Sequence, residues 1–263
     1  PQYYINAGIC EQHIVTLSCG LASQGFRPIV YSISSFIIYR AFEQIKLDLM
    51  VHRSNVCLLT VGSGYAYDVD GPTHHSTEDL SLMLGFDNLT LLNPCDTFTV
   101  KKSFDYLLNM RGPVWLRLDR GEFKPLEKKF LKKNYYHENY KGNKKLIVLT
   151  FGSISENIFK VKNEIKDKFS ILCFLKLKPL NIKEIKNILK SYSKILIVEE
   201  HNELNGFGSY LLNLLNSEGL KNEIEILGLN SSKIFDYQKR KILHQKHKLD
   251  PISLSKKIKK ILS

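Results

Sequence analysis

The 263-residue sequence has no apolar run approaching the roughly 18–20 residues of a membrane-spanning helix. Its start shows no charged segment followed by an apolar stretch and a cleavage site. A cytoplasmic protein is therefore expected. Cysteine is sparse: Cys10, Cys19, Cys57, Cys95 and Cys173 stand far apart, and no Cys-x-x-Cys pair occurs. This odd, scattered set argues against a disulfide framework and a zinc site. Most of these thiols sit in apolar runs, where they act as small hydrophobes. The sequence opens on Pro1 rather than Met, with a helix signal almost at once, so an upstream portion is expected to have been lost or processed away.

What the chain does have is core material. Hydrophobic residues make up 43%, which excludes disorder. The formal charge of +12 raises the question of nucleic acid. The excess, however, comes mostly from lysine pairs beyond residue 127 (Lys128–Lys129, Lys132–Lys133, Lys144–Lys145, Lys256–Lys257, Lys259–Lys260), spread over separate elements with no aromatic platform between them. That is a solvated surface.

Apolar runs at 28–33, 56–61, 89–92 and 113–118 alternate with helical periodicity at 11–24, 36–51, 77–84 and 97–110. In the first helix Ile14, Leu17 and Leu21 share one face, and Gly25 stops it. From 121 to 144 the periodicity gives way to Lys, Glu, Tyr and Asn, which reads as a linker. Strands at 146–151, 171–175, 195–199 and 224–228 then alternate with helices at 155–168, 182–191, 208–217 and 251–262. The expected fold is α/β, in two domains (1–120 and 145–263), each a mostly parallel sheet with helices on both faces.

Three segments of the first domain carry more chemistry than a fold needs: Tyr4-Ile-Asn-Ala-Gly-Ile-Cys-Glu-Gln12, Ser34-Ser-Phe-Ile-Ile-Tyr-Arg-Ala-Phe-Glu-Gln44 and Asp70-Gly-Pro-Thr-His-His-Ser-Thr-Glu-Asp79. On their own terms they are bland. Glu11 is a carboxylate in a helix's first turn, stabilised by the macrodipole. Phe36, Tyr39 and Phe42 are an aromatic stripe of the kind usually found in a core. Asp70 and His74 flank a Gly71–Pro72 turn, and His74–His75 lack the companions of a metal site.

In order and spacing, however, the three segments resemble the pyrimidine-binding domain of transketolases. Lys178-Pro-Leu180 and Val198-Glu-Glu-His-Asn-Glu-Leu-Asn-Gly-Phe-Gly-Ser209 resemble the family's C-terminal domain. The resemblance covers nearly the whole chain and points to the C-terminal half of the family, as in split transketolase subunits. It implies thiamine diphosphate as cofactor. Glu11 matches the residue that contacts N1′ of the aminopyrimidine, which lets the 4′-amino group take the proton from thiazolium C2. Phe36 and Tyr39 match the aromatics that wall the pyrimidine, while Phe42 is assigned to the core. Asp70 matches a contact to a donor hydroxyl, and His74 a histidine near the reacting carbonyl. Gln12 and His13 are support.

Arg120 follows a strand end, where a parallel sheet has its ligand crevice. Some relatives use the matching arginine to clamp a sugar phosphate. A salt bridge with Asp119 or Glu122 is the alternative.

The departures are specific. Gly62 and Ser63 stand where relatives often place a phosphate-binding His-Asp, and Val69 replaces a usual glutamate, so an altered acceptor pocket is expected, the alternative being that Tyr65, Tyr67 or a partner residue takes over the contact. His75 replaces a usual glutamine. The Gly-Asp-Gly motif by which thiamine-diphosphate enzymes hold the diphosphate and Mg2+ does not occur in this sequence. Those ligands are expected in a diphosphate-binding N-terminal half or subunit, and the domain's first strand and helix are expected to be missing here. The implied protein is half of a two-carbon ketol transferase acting on sugars or sugar phosphates, assembled as a homodimer or heterotetramer through its second domain. No nucleic-acid or membrane partner is expected. A deoxyxylulose-phosphate synthase-like enzyme, a 2-oxoacid dehydrogenase β-subunit-like enzyme and a non-catalytic assembly subunit stay open.

Overall fold

The computed structural model describes residues 3–121, 123, 131–132, 134–140, 142, 144–165, 168–230 and 236–263. In the first half, α1 (Glu11–Ser23) leads into β1 (Ile29–Ile33), α2 (Ser34–Arg40) and α3 (Phe42–Gln44), followed by a π-helical turn over Ile45–Val51. Then come β2 (Cys57–Val61), α4 (Asp79–Met83), β3 (Thr90–Leu92), α5 (Thr97–Asn109) and β4 (Val114–Leu118). The strands lie parallel in the order β1-β2-β4-β3.

The second half contains β5 (Leu131–Lys132), β6 (Tyr135–Glu138), β7 (Leu146–Phe151), α6 (Ser155–Glu164), β8 (Ser170–Phe174), β9 (Lys176–Lys178), α7 (Ile182–Leu189), β10 (Lys194–Asn202), α8 (Phe207–Ser217), β11 (Glu223–Leu229), α9 (Arg240–His247) and α10 (Pro251–Leu262). Its sheet runs β11-β10-β7-β8-β6-β5, parallel as far as β8 and antiparallel beyond. Every residue of the central β7 is buried, as expected for a parallel strand covered on both faces. Caps mark several helix starts. Asp96 closes a capping box with Thr99 on α5, and Asp250 precedes Pro251 at the start of α10.

The expected α/β architecture is present, with three corrections. Residues 135–138, placed in the linker, form β6 in the second sheet, paired with β8. Their polar lettering hides one inward side chain, Tyr136, which packs edge-on against Phe159 at 5.4 Å. The helix expected over 36–51 breaks at Ala41, whose φ of −108° and ψ of 22° leave the helical range. Phe36, Tyr39 and Arg40 therefore sit on a short helix of their own. On α1 the buried residues are Val15, Ser18 and Cys19, while Ile14, Leu17 and Leu21 are half-buried.

The two sheets are not independent. After β8 the chain crosses to the first sheet, where β9 adds to β3 antiparallel, pairing Leu91 with Lys178 and Leu92 with Lys176. One hydrophobic cluster runs from Val15 and Trp115 in the first half to Phe151, Phe207 and Leu215 in the second.

Candidate active site

Every segment singled out in the first half, α1's start excepted, leaves the C-terminal end of a parallel strand. Residues 34–40 follow β1, the loop 62–78 follows β2, and Asp119–Arg120 follow β4. This is the edge at which open parallel sheets bind ligands. Six side chains meet there in a row. Arg40 Nη1 donates to Glu11 Oε1 at 2.9 Å. The Arg40 guanidinium lies 4.2 Å from the centre of the Phe36 ring. Phe36 meets His74 edge-on at 4.9 Å. His74 lies 5.8 Å from Tyr67, and the Arg120 guanidinium caps Tyr67 at 4.8 Å.

Glu11 stands in the first turn of α1, whose free N–H groups favour a carboxylate. Its side chain is only 11% exposed, against 51% for Arg40. Among the described residues, Oε1 goes to Arg40 and Oε2 has no hydrogen-bond partner. Tyr39 turns from this row to Glu78, donating to Oε2 at 3.2 Å while accepting from the Glu78 N–H at 3.3 Å. Burial, with Asp79 and Glu78 adding, pushes its phenol far up. Phe42 packs on Phe86 at 5.6 Å, in the core as expected. Asp70 ends a 3-10 turn, Asp68–Asp70, and is exposed. Its side chain makes no hydrogen bond among the described residues. His75 turns inward and is buried, its Nε2 2.9 Å from the Asp68 carbonyl oxygen.

The loop carrying His74 is fixed from below. The fully buried Asp79 accepts from Arg117 Nε at 2.7 Å and Nη2 at 2.9 Å, and from Ser34 Oγ at 3.0 Å. Arg117 also reaches the Ser76 carbonyl at 2.9 Å. Burial alone would push the Asp79 carboxyl up, but Arg117 and His201 outweigh it and hold it well below the usual range.

The second half grips the same loop. Arg240 holds Asp119 with two N–H groups at 2.9 and 2.7 Å, and Nη2 also meets Glu200. Its backbone N–H donates to Asp68 at 2.8 Å. The Tyr237 ring lies over Gly71, where a Cβ would fall 2.1 Å from it. Because Arg240 takes Asp119, Arg120 has no ion pair among the described residues; Glu122 lies outside them.

Arg40 was not singled out from sequence, although it had a signal, and Tyr67 was weighed only as a replacement for the contact missing at Gly62 and Ser63. Arg40 is four residues beyond Phe36, one helical turn away. Tyr67 stands five residues after the unusual Gly62.

The transketolase pyrimidine-binding domain model matches residues 1–125, and the transketolase C-terminal domain model matches residues 136–252. The chain belongs to the transketolase family. It is similar to one of the subunits of the apulose-4-phosphate transketolase of Actinobacillus succinogenes, 26% identical over 97% of this chain and 83% of that protein. It is also similar to 1-deoxy-D-xylulose-5-phosphate synthase of Thermus thermophilus, 30% identical over 97% of this chain but 41% of the synthase, so it spans less than half of that relative. Among solved structures, a split-gene transketolase described as an inactive beta4 tetramer has the same fold, with a TM-score of 0.84 at 21% identity over 100% of this chain and 84% of that one. Campylobacter jejuni transketolase follows with a TM-score of 0.79 at 18% identity, over 97% of this chain and 39% of that one.

Proposed function

We propose that this chain is one half of a thiamine-diphosphate-dependent enzyme that transfers a two-carbon ketol unit between sugars, completed by a diphosphate-binding partner half. The observation that carries the reading is Glu11. Its carboxylate is drawn into a helix start with one oxygen uncommitted, beside an aromatic ring fixed from two sides. Such a donor set fits a flat heterocycle with a ring nitrogen: Phe36 offers a stacking face, and Glu11 offers the hydrogen-bond partner. When bound, thiamine diphosphate supplies the electron sink for breaking a carbon–carbon bond next to a ketone.

In this reading the chain's own residues bind and orient. Glu11 holds the ring nitrogen, and Arg40 keeps the carboxylate aimed. Phe36 and Tyr39 form the wall, Tyr39 locked by Glu78. His74, gripped between Phe36 and Tyr67, offers an imidazole for a carbonyl oxygen or hydroxyl. Asp70 is left to contact a substrate hydroxyl, and Arg120 to meet an anionic end. Among the described residues no cluster of three or more His, Cys, Asp or Glu could hold a metal, and the Mg2+ ligands are assigned to the partner. The apulose-4-phosphate transketolase relative, itself one subunit of its enzyme, supports the division into halves. The synthase relatives support a second reading, in which the completed enzyme makes a deoxyketose phosphate from a 2-oxoacid.

Co-expression with a diphosphate-binding transketolase half, followed by assays with a ketose donor and with a 2-oxoacid donor, separates the two readings. In that assembly Glu11→Ala is expected to slow hydrogen–deuterium exchange at C2 of the bound cofactor about 10²–10⁴-fold with folding intact. An unchanged exchange rate in NMR removes Glu11 from the mechanism. Absence of transfer from either donor sinks the proposal.

A further inference from the structure

The first residue of the loop is Gly62, with φ of +100°, and a Cβ there would lie 2.5 and 2.7 Å from two carbons of the Tyr67 ring. No side chain fits at 62 while Tyr67 keeps its place. The backbone cannot shift freely to make room, because the N–H groups of Gly62 and Ser63 both donate to the Leu118 carbonyl, at 3.0 and 3.1 Å. That carbonyl ends β4, two residues before Arg120. Tyr67 thus fills the space over Gly62 and stands between the guanidinium of Arg120 and the imidazole of His74.

We infer that Tyr67 is a positioning and specificity residue: it carries Arg120 over its ring so that the guanidinium N–H groups reach an oxyanion on the substrate. A guanidinium stacked face-on keeps its in-plane N–H groups available, and these match a phosphate or carboxylate in bidentate fashion. Stacking also supplies the order that an exposed arginine otherwise lacks, since Arg120 has no carboxylate to lean on among the described residues. The substitution at 62 therefore does not empty the anion site. It exchanges a polar side chain on one side for an aromatic support beneath the arginine on the other. His74, 5.8 Å from the Tyr67 ring, and Arg120, 4.8 Å from it, share this one ring as a common support, one for the reacting end and the other for the anionic end. As a substrate contact this rests on the transferase reading above; as an anion site it does not.

The test is a titration of inorganic phosphate, and separately of acetate, into the full chain, followed through the Arg120 side-chain NMR signals. In the wild type those signals carry a ring-current shift that Tyr67→Phe preserves and Tyr67→Leu abolishes. Cation–π support at an exposed site corresponds to about a two- to fivefold change in affinity. Tyr67→Leu is expected to weaken the bound anion by that factor, and Tyr67→Phe to restore it. Gly62→Ala is expected to displace the ring and to mimic Tyr67→Leu. Arg120→Ala is expected to abolish binding. Whichever anion shows this dependence names the group. In the reconstituted enzyme Tyr67→Leu and Gly62→Ala should raise KM for the substrate bearing that group by about the same two- to fivefold, and Tyr67→Phe should not. Anion binding indifferent to Tyr67→Leu, or no anion binding at Arg120, overturns the inference. Tyr67-dependent binding in an assembly that transfers no ketol overturns the transferase reading and leaves this one standing.

Discussion

Glu199 and Glu200 are neighbours on β10 and both are buried, yet their carboxyls move in opposite directions. Burial pushes Glu199 up to about 8, against the pull of the Gly208 and Phe207 N–H groups, which it accepts at 3.1 and 2.9 Å. Burial acts on Glu200 too, but Arg240 and His244 outweigh it and hold the carboxyl down. For Glu199 the folded state keeps a proton that the unfolded chain loses near 4.5. Its contribution to stability is therefore full below that pH and is lost as pH rises towards 8. Glu199→Gln, which cannot ionise, is expected to flatten this loss. Thermal melts at pH 5 and pH 8 should show a smaller fall for the variant than for wild type, and equal falls would mean that another group titrates. Glu11, Phe36 and His74 were legible as single residues because their motifs are compact. Arg40 was not, because its role comes from contacts across separate segments, and Tyr67 was legible only as a replacement for the contact missing at Gly62 and Ser63. Asp70 and Tyr39 are not in the row, since local turn geometry and Glu78 respectively direct them elsewhere.

At the scale of elements, strands proved the easier reading. Continuous apolar runs bounded by Gly, Pro or polar clusters leave few alternatives, and the eight strands expected from them all occur. The exceptions carry their signal in one or two residues: β6 has the single inward Tyr136, and β9 is a Lys-Leu-Lys edge. Helix α9 was missed because its residues, Arg-Lys-Ile-Leu-His-Gln-Lys-His, are dominated by charge, with Leu243 and His247 its buried members. Yet α9 supplies the guanidinium that joins the two halves. Arg240 is 19% exposed, and Asp119 and Glu200 are 6% exposed. Removing it takes the guanidinium from two buried carboxylates and leaves Glu200 only its ion pair with His244, and breaking such pairs costs about 3–5 kcal/mol. Arg240→Ala should show that loss in urea denaturation, with much of it recovered in Arg240→Ala combined with Asp119→Asn and Glu200→Gln. A cost under about 1 kcal/mol would mean that water replaces the guanidinium without penalty.

For the whole molecule, the two-domain reading captured the rhythm of the sequence but not the seam. The boundary was placed where periodicity lapses, whereas the structure ties the halves together after it, through β9, Arg240 and a shared core. Long-range pairing of this kind leaves no periodic trace, because each partner satisfies its own local pattern. The physical expectation is a single cooperative transition instead of two. Calorimetry should give one peak with calorimetric and van't Hoff enthalpies in agreement. Two resolved transitions would mean that the seam is weaker than its hydrogen bonds imply.

The passage of β9 into the first sheet also bears on where such a gene can be divided. A break between the sheets would part Leu91 and Leu92 from Lys178 and Lys176, leaving β3 as a bare apolar edge on one product and three orphan residues on the other. Edges of that kind invite aggregation. Two polypeptides cut there would have to be made side by side and zipped together before either was safe, so for a protein engineer this pair of domains is one cassette.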